Sequence, residues 1–202
     1  MKKNSQTRVI ILEGVTTTGK STIFNNLKRY AEEHKLSWFF IPEIDTIIPI
    51  IDNIDQTENN EHFKKLLKQT FSKKYDLYIF DRLHFSSIFK TGAQMKDLQD
   101  LEKTLSQFDT QIFMLYVPED LLRERIRESM KYRDVDWTKY LLNKVGGNKE
   151  KVADFYIERQ NFIKKLIKES ILKINIIDTS DQNFVKATRQ IIDILRLRSE
   201  LD

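Results

Sequence analysis

Residues 14–21 read GVTTTGKS and match G-x-x-x-x-G-K-[ST], the pattern of a phosphate-binding loop. An apolar run, VIIL at residues 9–12, precedes them, and apolar residues with helical spacing follow, beginning at Ile23. The glycines let the backbone curl around a phosphate with its N–H groups inward, and the next helix adds its positive dipole end. A glycine-punctuated turn is the alternative, but the strand–loop–helix context favours a ligand. We therefore predict that this loop binds a nucleoside triphosphate.

Two side chains of the loop have predicted roles in that site. Lys20 is placed to reach the outer phosphates, and the Ser21 hydroxyl is placed to bind Mg²⁺. The predicted cofactors are therefore ATP and Mg²⁺. The predicted nucleotide-binding residues all lie in the loop or the first helical turn: Gly14, Thr16, Thr17, Thr18, Gly19, Lys20, Ser21 and Thr22.

The composition is that of an ordinary globular protein. Of 202 residues, 40% are hydrophobic and 32% are charged, which suffices for one domain with a sizeable core, so we assign residues 1–202 to a single domain. The formal net charge of +4, from 34 basic and 30 acidic residues, is a small excess that suits a polyphosphate and does not indicate a nucleic acid polymer.

Two absences narrow the class of protein. There is no cysteine, which excludes disulfides, thiolate metal sites and cysteine nucleophiles. No apolar run approaches 18 residues, and the first residues, MKKNS, lack the apolar core of a signal peptide. We therefore expect a cytoplasmic protein with no membrane span.

Apolar runs alternate with stretches of helical spacing along the chain. This alternation predicts an α/β three-layer sandwich, in which a five-stranded parallel sheet is covered by helices on both faces. Residues 44–60 are predicted as an irregular segment, and Trp38, Phe39 and Phe40 as core. The predicted strands are 9–12, 36–41, 75–80, 110–117 and 173–178, and the main predicted helices are 20–34, 61–74, 96–107, 118–130, 152–167 and 182–198.

Polar residues follow the first three predicted strands directly. The loop follows the first strand, Glu43 the second, and Asp81-Arg82 the third. Ligands of parallel sheets bind at the carboxyl ends of the strands, so these residues are expected to share one site.

Two other classes of nucleotide-binding protein do not fit the sequence. A guanine-specific switch protein would carry Asn-Lys-x-Asp, but Asn143-Lys144 is followed by Val145 and Gly146. A remodelling ATPase would pair Asp81 with a glutamate; the arginine found there suits transfer to a bound acceptor.

Several short segments resemble the thymidylate kinase and deoxynucleoside kinase group, over nearly the whole chain. They are ILEG at residues 11–14, DRLHFSSI at 81–88, VPE at 117–119, LRERI at 122–126 and IDTS at 177–180. The resemblance implies a P-loop kinase that transfers the γ-phosphoryl group of ATP to a nucleoside monophosphate or a deoxynucleoside. Because relatives in this group are often dimers, it also implies a homodimer.

The resemblance implies roles for three residues at strand ends. Asp81 is expected to hold Mg²⁺, in its outer shell, or to position the acceptor, and Arg82 is expected to bind the acceptor or the γ-phosphate. A helix cap and a structural ion pair are the ordinary alternatives for these two residues. Thr179 is expected in the loop beside the adenine.

Arginines at and beyond LRERI close over the phosphates or stack on adenine in this kinase group. The resemblance therefore implies such a role for Arg125 and Arg133, with Arg123 and Arg127 as weaker candidates, since interleaved glutamates are also typical of a solvated helix face. The charged, interrupted stretch that follows implies a mobile lid near residues 127–137.

The residues after the second strand leave the acceptor open. They read IPEI at 41–44, whereas thymidylate kinases place there an arginine that holds the acceptor phosphate. Glu43 is a candidate general base for a hydroxyl acceptor, or a ligand of its sugar; a phosphate acceptor needs no base, and a surface carboxylate is the ordinary alternative.

Three ring-bearing residues after the third strand are candidates for the acceptor-base pocket: His84, Phe85 and Phe89, although core packing is equally consistent with their spacing. The chain's three histidines form no cluster in the sequence, so no zinc site is expected. A function of another class also stays open, namely a regulatory protein that binds a nucleotide and lacks acceptor chemistry.

Overall fold

Five parallel strands form one central sheet. The computed structural model describes residues 7–195 and, of Lys90, the backbone. The strands are β1 (Arg8–Glu13), β2 (Trp38–Ile41), β3 (Leu77–Asp81), β4 (Asp109–Tyr116) and β5 (Lys173–Asp178). Their order is β2-β3-β1-β4-β5, and every neighbouring pair is parallel, which confirms the predicted sheet.

Helices connect the strands. They are α1 (Lys20–Glu33), α2 (Glu43–Thr46), α3 (Gln56–Thr70), α4 (His84–Thr91), α5 (Gln99–Leu105), α6 (Glu119–Ser129), α7 (Val135–Lys144), α8 (Lys151–Leu166) and α9 (Phe184–Leu195), with short 3₁₀ turns at Ile48–Ile50, Met95–Leu98 and Ile167–Glu169. The last predicted helix ran to residue 198, and residues 196–198 lie outside the described part of the chain. None of the helices within residues 7–195 is long and apolar enough to cross a bilayer.

The two faces of the sheet pack against different helices, because successive side chains of a strand point to opposite faces. On β1, Val9 and Ile11 belong to the core that is completed by α3, α4, α5 and α8. Ile10 and Leu12 belong to the core that is completed by α1 and α9. This confirms the three-layer arrangement. A third apolar cluster joins α6, α7 and α8 beyond the carboxyl edge of the sheet.

The register brings the carboxyl ends of the strands to one edge. Leu12, the penultimate residue of β1, pairs with Asp81 at the end of β3. On the other side of the sheet, Tyr116 of β4 pairs with Asp178 of β5. The polar residues that follow the strands therefore emerge together, around the loop that leaves β1.

The prediction that Phe39 is a core residue is wrong. β2 lies at the edge of the sheet, and the Phe39 side chain is 39% exposed, stacked on Tyr75 with ring centroids 5.3 Å apart. Phe40 points to the opposite face and stacks on Phe24 of α1 at 3.5 Å. Trp38 is half-buried beneath the ammonium group of Lys28. An apolar run does not reveal whether its strand is central or at an edge.

Two segments are more regular than the sequence predicted. α3 begins at Gln56 rather than residue 61, since the Asp55 carboxylate accepts the N–H groups of Thr57 and Glu58 as an N-cap. α7 was not predicted at all. It begins inside the predicted lid, where the Asp134 carboxylate accepts the N–H of Trp137 at 2.7 Å. The non-helical segment between α6 and α7 is therefore short.

Candidate functional site

The loop between β1 and α1 has the backbone that its glycines predict. Gly14 and Gly19 have φ angles of +147° and +89°, and Thr17 lies at +64°. A Cβ atom at position 19 would lie 2.1 Å from the ring of Phe184, and one at position 14 would lie 2.9 Å from the carbonyl oxygen of Leu115. Only glycine fits these two positions.

Two of the predicted nucleotide-binding threonines, Thr18 within the loop and Thr179 after β5, are buried and hold the loop by hydrogen bonds. The Thr18 hydroxyl donates to the carbonyl oxygen of Val15 at 2.9 Å, and the Thr179 hydroxyl donates to the carbonyl oxygen of Thr18 at 3.1 Å. Thr179 is 1% exposed, so its side chain braces the loop from below. Thr16 is half-buried, whereas Ser21 and Thr22 are exposed at the start of α1.

Lys20 is buried within the loop. Its ammonium group donates to the carbonyl oxygens of Gly14 at 3.0 Å and Val15 at 3.2 Å. Burial, assisted by the nearby charge of Arg82, lowers the pKa of Lys20 to about 7, against an opposing effect of Asp81. Hydrogen-bond acceptors such as phosphate oxygens would therefore favour the charged form of this lysine.

Arg82 connects this loop to the residues after β2. Its backbone has a φ of +63°, a strained conformation for a non-glycine residue, and its guanidinium group is buried. Nη1 donates to the carbonyl oxygen of Gly14 at 2.6 Å and to the Ser86 hydroxyl at 3.2 Å, and Nε lies 3.1 Å from a carboxylate oxygen of Glu43. Burial lowers the pKa of Arg82, but Glu43, Asp81 and Glu13 outweigh that effect and raise it above the usual value.

Glu13 is a site residue that sequence reasoning missed. It is fully buried at the end of β1, where its carboxylate accepts the backbone N–H of Leu83 at 2.9 Å and the Ser86 hydroxyl at 2.7 Å. It thereby fixes the turn that presents Arg82. A carboxylate that closes an otherwise apolar strand was the available signal, because a buried charge needs dedicated partners.

Asp81 ends β3 beside Lys20 and Arg82. One of its carboxylate oxygens is buried and has no hydrogen-bond partner among residues 7–195. Burial raises the pKa of Asp81, and the charges of Lys20 and Arg82 offset part of that rise. An unpartnered carboxylate oxygen and the exposed hydroxyl of Ser21 fit Mg²⁺, which keeps several waters and takes few protein ligands. The described residues contain no group of three or more His, Cys, Asp or Glu side chains that could hold a metal ion.

Arg125 and Arg133 reach different parts of the site. Arg125 donates to the carbonyl oxygens of Thr179 at 3.0 Å and Ser180 at 2.7 Å, so it holds the loop that follows β5. Arg133 lies between α6 and α7 and donates to the hydroxyl of Thr16 at 2.6 Å. Arg133 is thus the arginine of the predicted lid that contacts the phosphate-binding loop.

The two weaker candidates on α6 form ion pairs with the neighbouring helix region. Arg123 lies 2.5 Å from the carboxylate of Asp154 on α8, and Arg127 lies 2.9 Å from that of Glu150, just before α8. Both arginines are at least one-third exposed, so these pairs contribute little stability. Neither residue lines the cavity described next.

A cavity of about 590 Å³ adjoins the phosphate-binding loop on the side of Arg82. Thr16, Glu43, Arg82 and Arg133 line one part of it. Its remaining wall is largely aromatic, with contributions from α4, α7 and α8: Phe89, Trp137, Tyr140, Phe155 and Tyr156. A pocket of this size with an aromatic wall and a few charged groups is the kind that binds a small ring-bearing molecule.

The structure separates the three ring-bearing candidates for this pocket. Phe89 lines the cavity, whereas His84 and Phe85 are fully buried and do not. His84 points into the core, where its Nε2 lies 3.0 Å from a carboxylate oxygen of Glu102. Successive residues of a helix face different directions, and α4 turns only one of the three toward the cavity.

Arg159 of α8 is the second site residue that the sequence analysis missed. It lines the cavity, is 5% exposed, and has its guanidinium carbon 5.5 Å from the centroid of the Phe89 ring. Its Nε and Nη2 atoms are buried and have no hydrogen-bond partner within the described chain. The available signal was an arginine within the apolar stripe of a helix, between Phe155 and Phe162.

No protein-family model matches this chain, and no curated protein matches it. Several solved structures are similar. The YorR protein of Bacillus subtilis, solved in complex with phosphorylated GDP, aligns over 94% of this chain and 96% of its own, with 17% identity and a TM-score of 0.64. Polyphosphate kinase 2 of Arthrobacter aurescens TC1 aligns over 98% and 74%, with 14% identity and a TM-score of 0.61.

The thymidylate kinase of Ehrlichia chaffeensis is also similar, over 95% of this chain and 99% of its own, with 17% identity and a TM-score of 0.52. At these identities the likeness concerns the fold. The chain therefore has the fold of P-loop kinases, which confirms the fold expected from the resemblance.

Proposed function

We propose that this protein is an ATP- and Mg²⁺-dependent kinase that transfers the γ-phosphoryl group to a nucleoside monophosphate or a deoxynucleoside. One observation carries the proposal: Arg82 hydrogen-bonds the phosphate-binding loop and also lines the adjoining aromatic cavity. A single buried guanidinium group thus stands between a donor site and an acceptor site, where a transferring phosphoryl group would gather negative charge.

The donor half of the site is built to bind a triphosphate. The loop amides, the helix N-terminus and Lys20 would bind its phosphates, and Arg133 would reach it from the lid. Ser21 and Asp81 would hold Mg²⁺, which, when bound, neutralises charge on the phosphate oxygens. The loop after β5, braced by Thr179 and Arg125, would lie beside the base.

Catalysis in this proposal consists of positioning and charge neutralisation. Arg82 is held in place by its buried contacts, and bound phosphates would keep Lys20 charged beside it, so these two cations would need little reorganisation when charge shifts from donor to acceptor. Arg133 would join them from the lid. Closure of the lid near residues 127–137 would exclude water and so favour transfer over hydrolysis. Glu43 orients Arg82 through their ion pair, a role that does not require it to act as a base.

An acceptor panel tests the proposal. Purified protein with Mg²⁺ and ATP, or GTP as a second donor, is supplied with the common nucleosides and their 5′-monophosphates, and ADP or GDP release is followed by a coupled assay. We expect acceptor-dependent release, abolished in Lys20→Ala. Tight ATP binding without acceptor-dependent release for any member of the panel would contradict the kinase and favour the regulatory nucleotide-binding protein.

A further inference from the structure

Arg159 differs from the other buried arginine of the site in having no ion-pair partner, although the charges of Glu13 and Glu43 act on it from farther away. Arg82 is paired with Glu43, whereas no carboxylate lies within ion-pair distance of Arg159 in residues 7–195. Its contact with the Phe89 ring supplies no hydrogen-bond acceptor, and two of its three nitrogens remain buried without one. Burying an unpaired charge is costly, so proteins rarely keep one without a use.

The charges around the cavity also favour an anionic ligand. Among the side chains that the structure describes, four cationic and two anionic ones line it. Both anions are paired, since Glu43 contacts Arg82 and the carboxylate of Asp52 lies 3.0 Å from the ammonium group of Lys144. Arg133 and Arg159 are left without a carboxylate partner in the described part of the chain, so the cavity has an excess of two positive charges. A phosphate monoester carries nearly two negative charges at neutral pH.

The remaining wall of the cavity fits the rest of such a ligand. Trp137 and Tyr156 have nearly parallel rings, 11° apart, with the Arg133 guanidinium group 4.4 Å from the Trp137 centroid. Phe89 and Phe155 extend the aromatic surface. A planar base binds against such rings. Arg159 contacts the Phe89 part of this wall. The positive charges of Arg82 and Arg159 both lower the pKa of Lys20, so the two guanidinium groups lie on the side of the cavity that faces the donor loop.

We propose that Arg159 binds the phosphate group of the acceptor, and that the acceptor is therefore a nucleoside monophosphate rather than a nucleoside. This inference rests on the proposed kinase function. Arg159 of α8 supplies the guanidinium group that the segment after β2 lacks, and its planar fork can donate two hydrogen bonds to phosphate oxygens. In the reaction an oxygen of that phosphate attacks the γ-phosphorus of ATP. The bond between the γ-phosphorus and the oxygen that bridges it to the β-phosphorus breaks, so the products are ADP and a nucleoside diphosphate.

Substitutions at position 159 test this assignment. In Arg159→Gln, we expect the KM for the best monophosphate to rise about 10- to 100-fold, because charged hydrogen bonds to that group are lost. The KM for ATP should stay within about twofold. Arg159→Lys retains the charge but not the fork, so it should recover part of the loss. Lys165→Gln, which removes an exposed charge from the same helix, is the matched control and should behave as wild type.

Thermal unfolding of the free protein distinguishes a binding role from a structural one. Removing an unpaired buried charge should raise the Tm of Arg159→Met by about 2–4 °C, while the monophosphate no longer shifts that Tm. A large fall in Tm, with an unchanged KM for monophosphate in the folded Arg159→Lys protein, would assign the residue to structure and overturn the inference.

The acceptor panel separates the two proposals. Phosphorylation of nucleosides but not of monophosphates would overturn the role of Arg159 and leave the kinase intact. Consumption of neither class, with ATP still bound, would overturn the kinase itself. A rise in the KM for ATP alone in Arg159→Gln would place the residue at the donor and would also contradict the inference.

Discussion

At the scale of single residues, the site depends on buried cations whose charge is sensitive to their surroundings. Lys20 is the clearest case, because burial and the charge of Arg82 together lower its pKa to about 7. In the unfolded chain this lysine would have its ordinary pKa of 10.5. Between pH 7 and pH 10.5 the unfolded state therefore binds more protons than the folded state. The contribution of Lys20 to stability therefore increases as the pH rises through that window.

The same shift should make the proposed binding of ATP pH-dependent. Bound phosphates favour the charged lysine, so binding above pH 7 must take up a proton. We expect the Kd for ATP to increase between pH 7 and pH 9, with uptake of up to one proton in calorimetry at pH 8 in buffers of different ionisation enthalpy. Lys20→Arg, which stays charged, should bind without this uptake. A Kd that is flat from pH 7 to pH 9 would refute the expectation.

Gly19 offers a second prediction at this scale. Gly19→Ala adds a Cβ atom that would lie 2.1 Å from the Phe184 ring, at a φ of +89°. We expect a lower Tm and at least tenfold weaker ATP binding. Gly92→Ala is the matched control, since Gly92 has a φ of +72° but open space around it and should lose only about 1 kcal/mol. If Phe184→Ala fails to restore part of the loss in Gly19→Ala, the clash is not its cause.

At the scale of elements, α6 serves two neighbours through arginines that alternate along it. Arg123 and Arg127 pair with acids on or next to α8, and Arg125 between them binds the loop after β5. From the sequence, Arg125 was favoured over Arg123 and Arg127 only through the resemblance, because the interleaved glutamates are also typical of a solvated helix face. Only their partners separate the exposed ion pairs of Arg123 and Arg127 from the contact by which Arg125 holds the loop after β5.

Arg125→Ala should therefore impair the donor site specifically. It leaves the carbonyl oxygens of Thr179 and Ser180 without their donor, and we expect the KM for ATP to rise about threefold to thirtyfold while the KM for the acceptor changes little. Steady-state kinetics with each substrate varied in turn measure both. Arg123→Ala, on the same helix, should alter neither KM. Equal effects of the two substitutions would show that Arg125 acts only through the stability of α6.

At the scale of the whole molecule, the cavity that we propose for the acceptor is assembled from distant parts of the chain. Thr16 follows β1, Glu43 begins α2, Phe89 lies on α4, Arg133 follows α6 and Arg159 lies on α8. None of these elements forms the cavity alone. A ligand that fills it should therefore stabilise the folded state as a whole, because it binds only when all of them are assembled.

Thermal unfolding with both ligands tests this expectation. At about 100 times its Kd, a non-hydrolysable ATP analogue with Mg²⁺ should stabilise the protein by about 2.7 kcal/mol, and a nucleoside monophosphate should add a separate increment. For a chain of this length each increment corresponds to a Tm rise of about 5–10 °C. A monophosphate that adds nothing at any concentration would contradict an acceptor site in this cavity.

Local patterns were sufficient for the parts of the fold and site that depend on neighbours in sequence. The loop at residues 14–21 was predictable because its glycines and lysine act within one turn of backbone, and the alternation of strands and helices predicted the parallel sheet. The edge position of β2 and the N-caps that begin α3 and α7 were missed. These depend on which strand pairs with which, or on single carboxylates whose partners a pattern does not reveal.

The sequence by itself determined the phosphate-binding loop, the parallel sheet and the edge at which the polar residues gather, since each follows from spacing along the chain. The tertiary structure alone decided what surrounds that loop. It buried Glu13 behind Arg82, turned His84 and Phe85 into the core, and brought Arg159 from the penultimate helix into the cavity. The physical reason is that burial and the presence or absence of a counter-charge are set by residues far away in sequence. The stretch GVTTTGKS therefore predicts a binding site for the donor phosphates, whereas the side chains proposed to bind the acceptor are brought together only by folding.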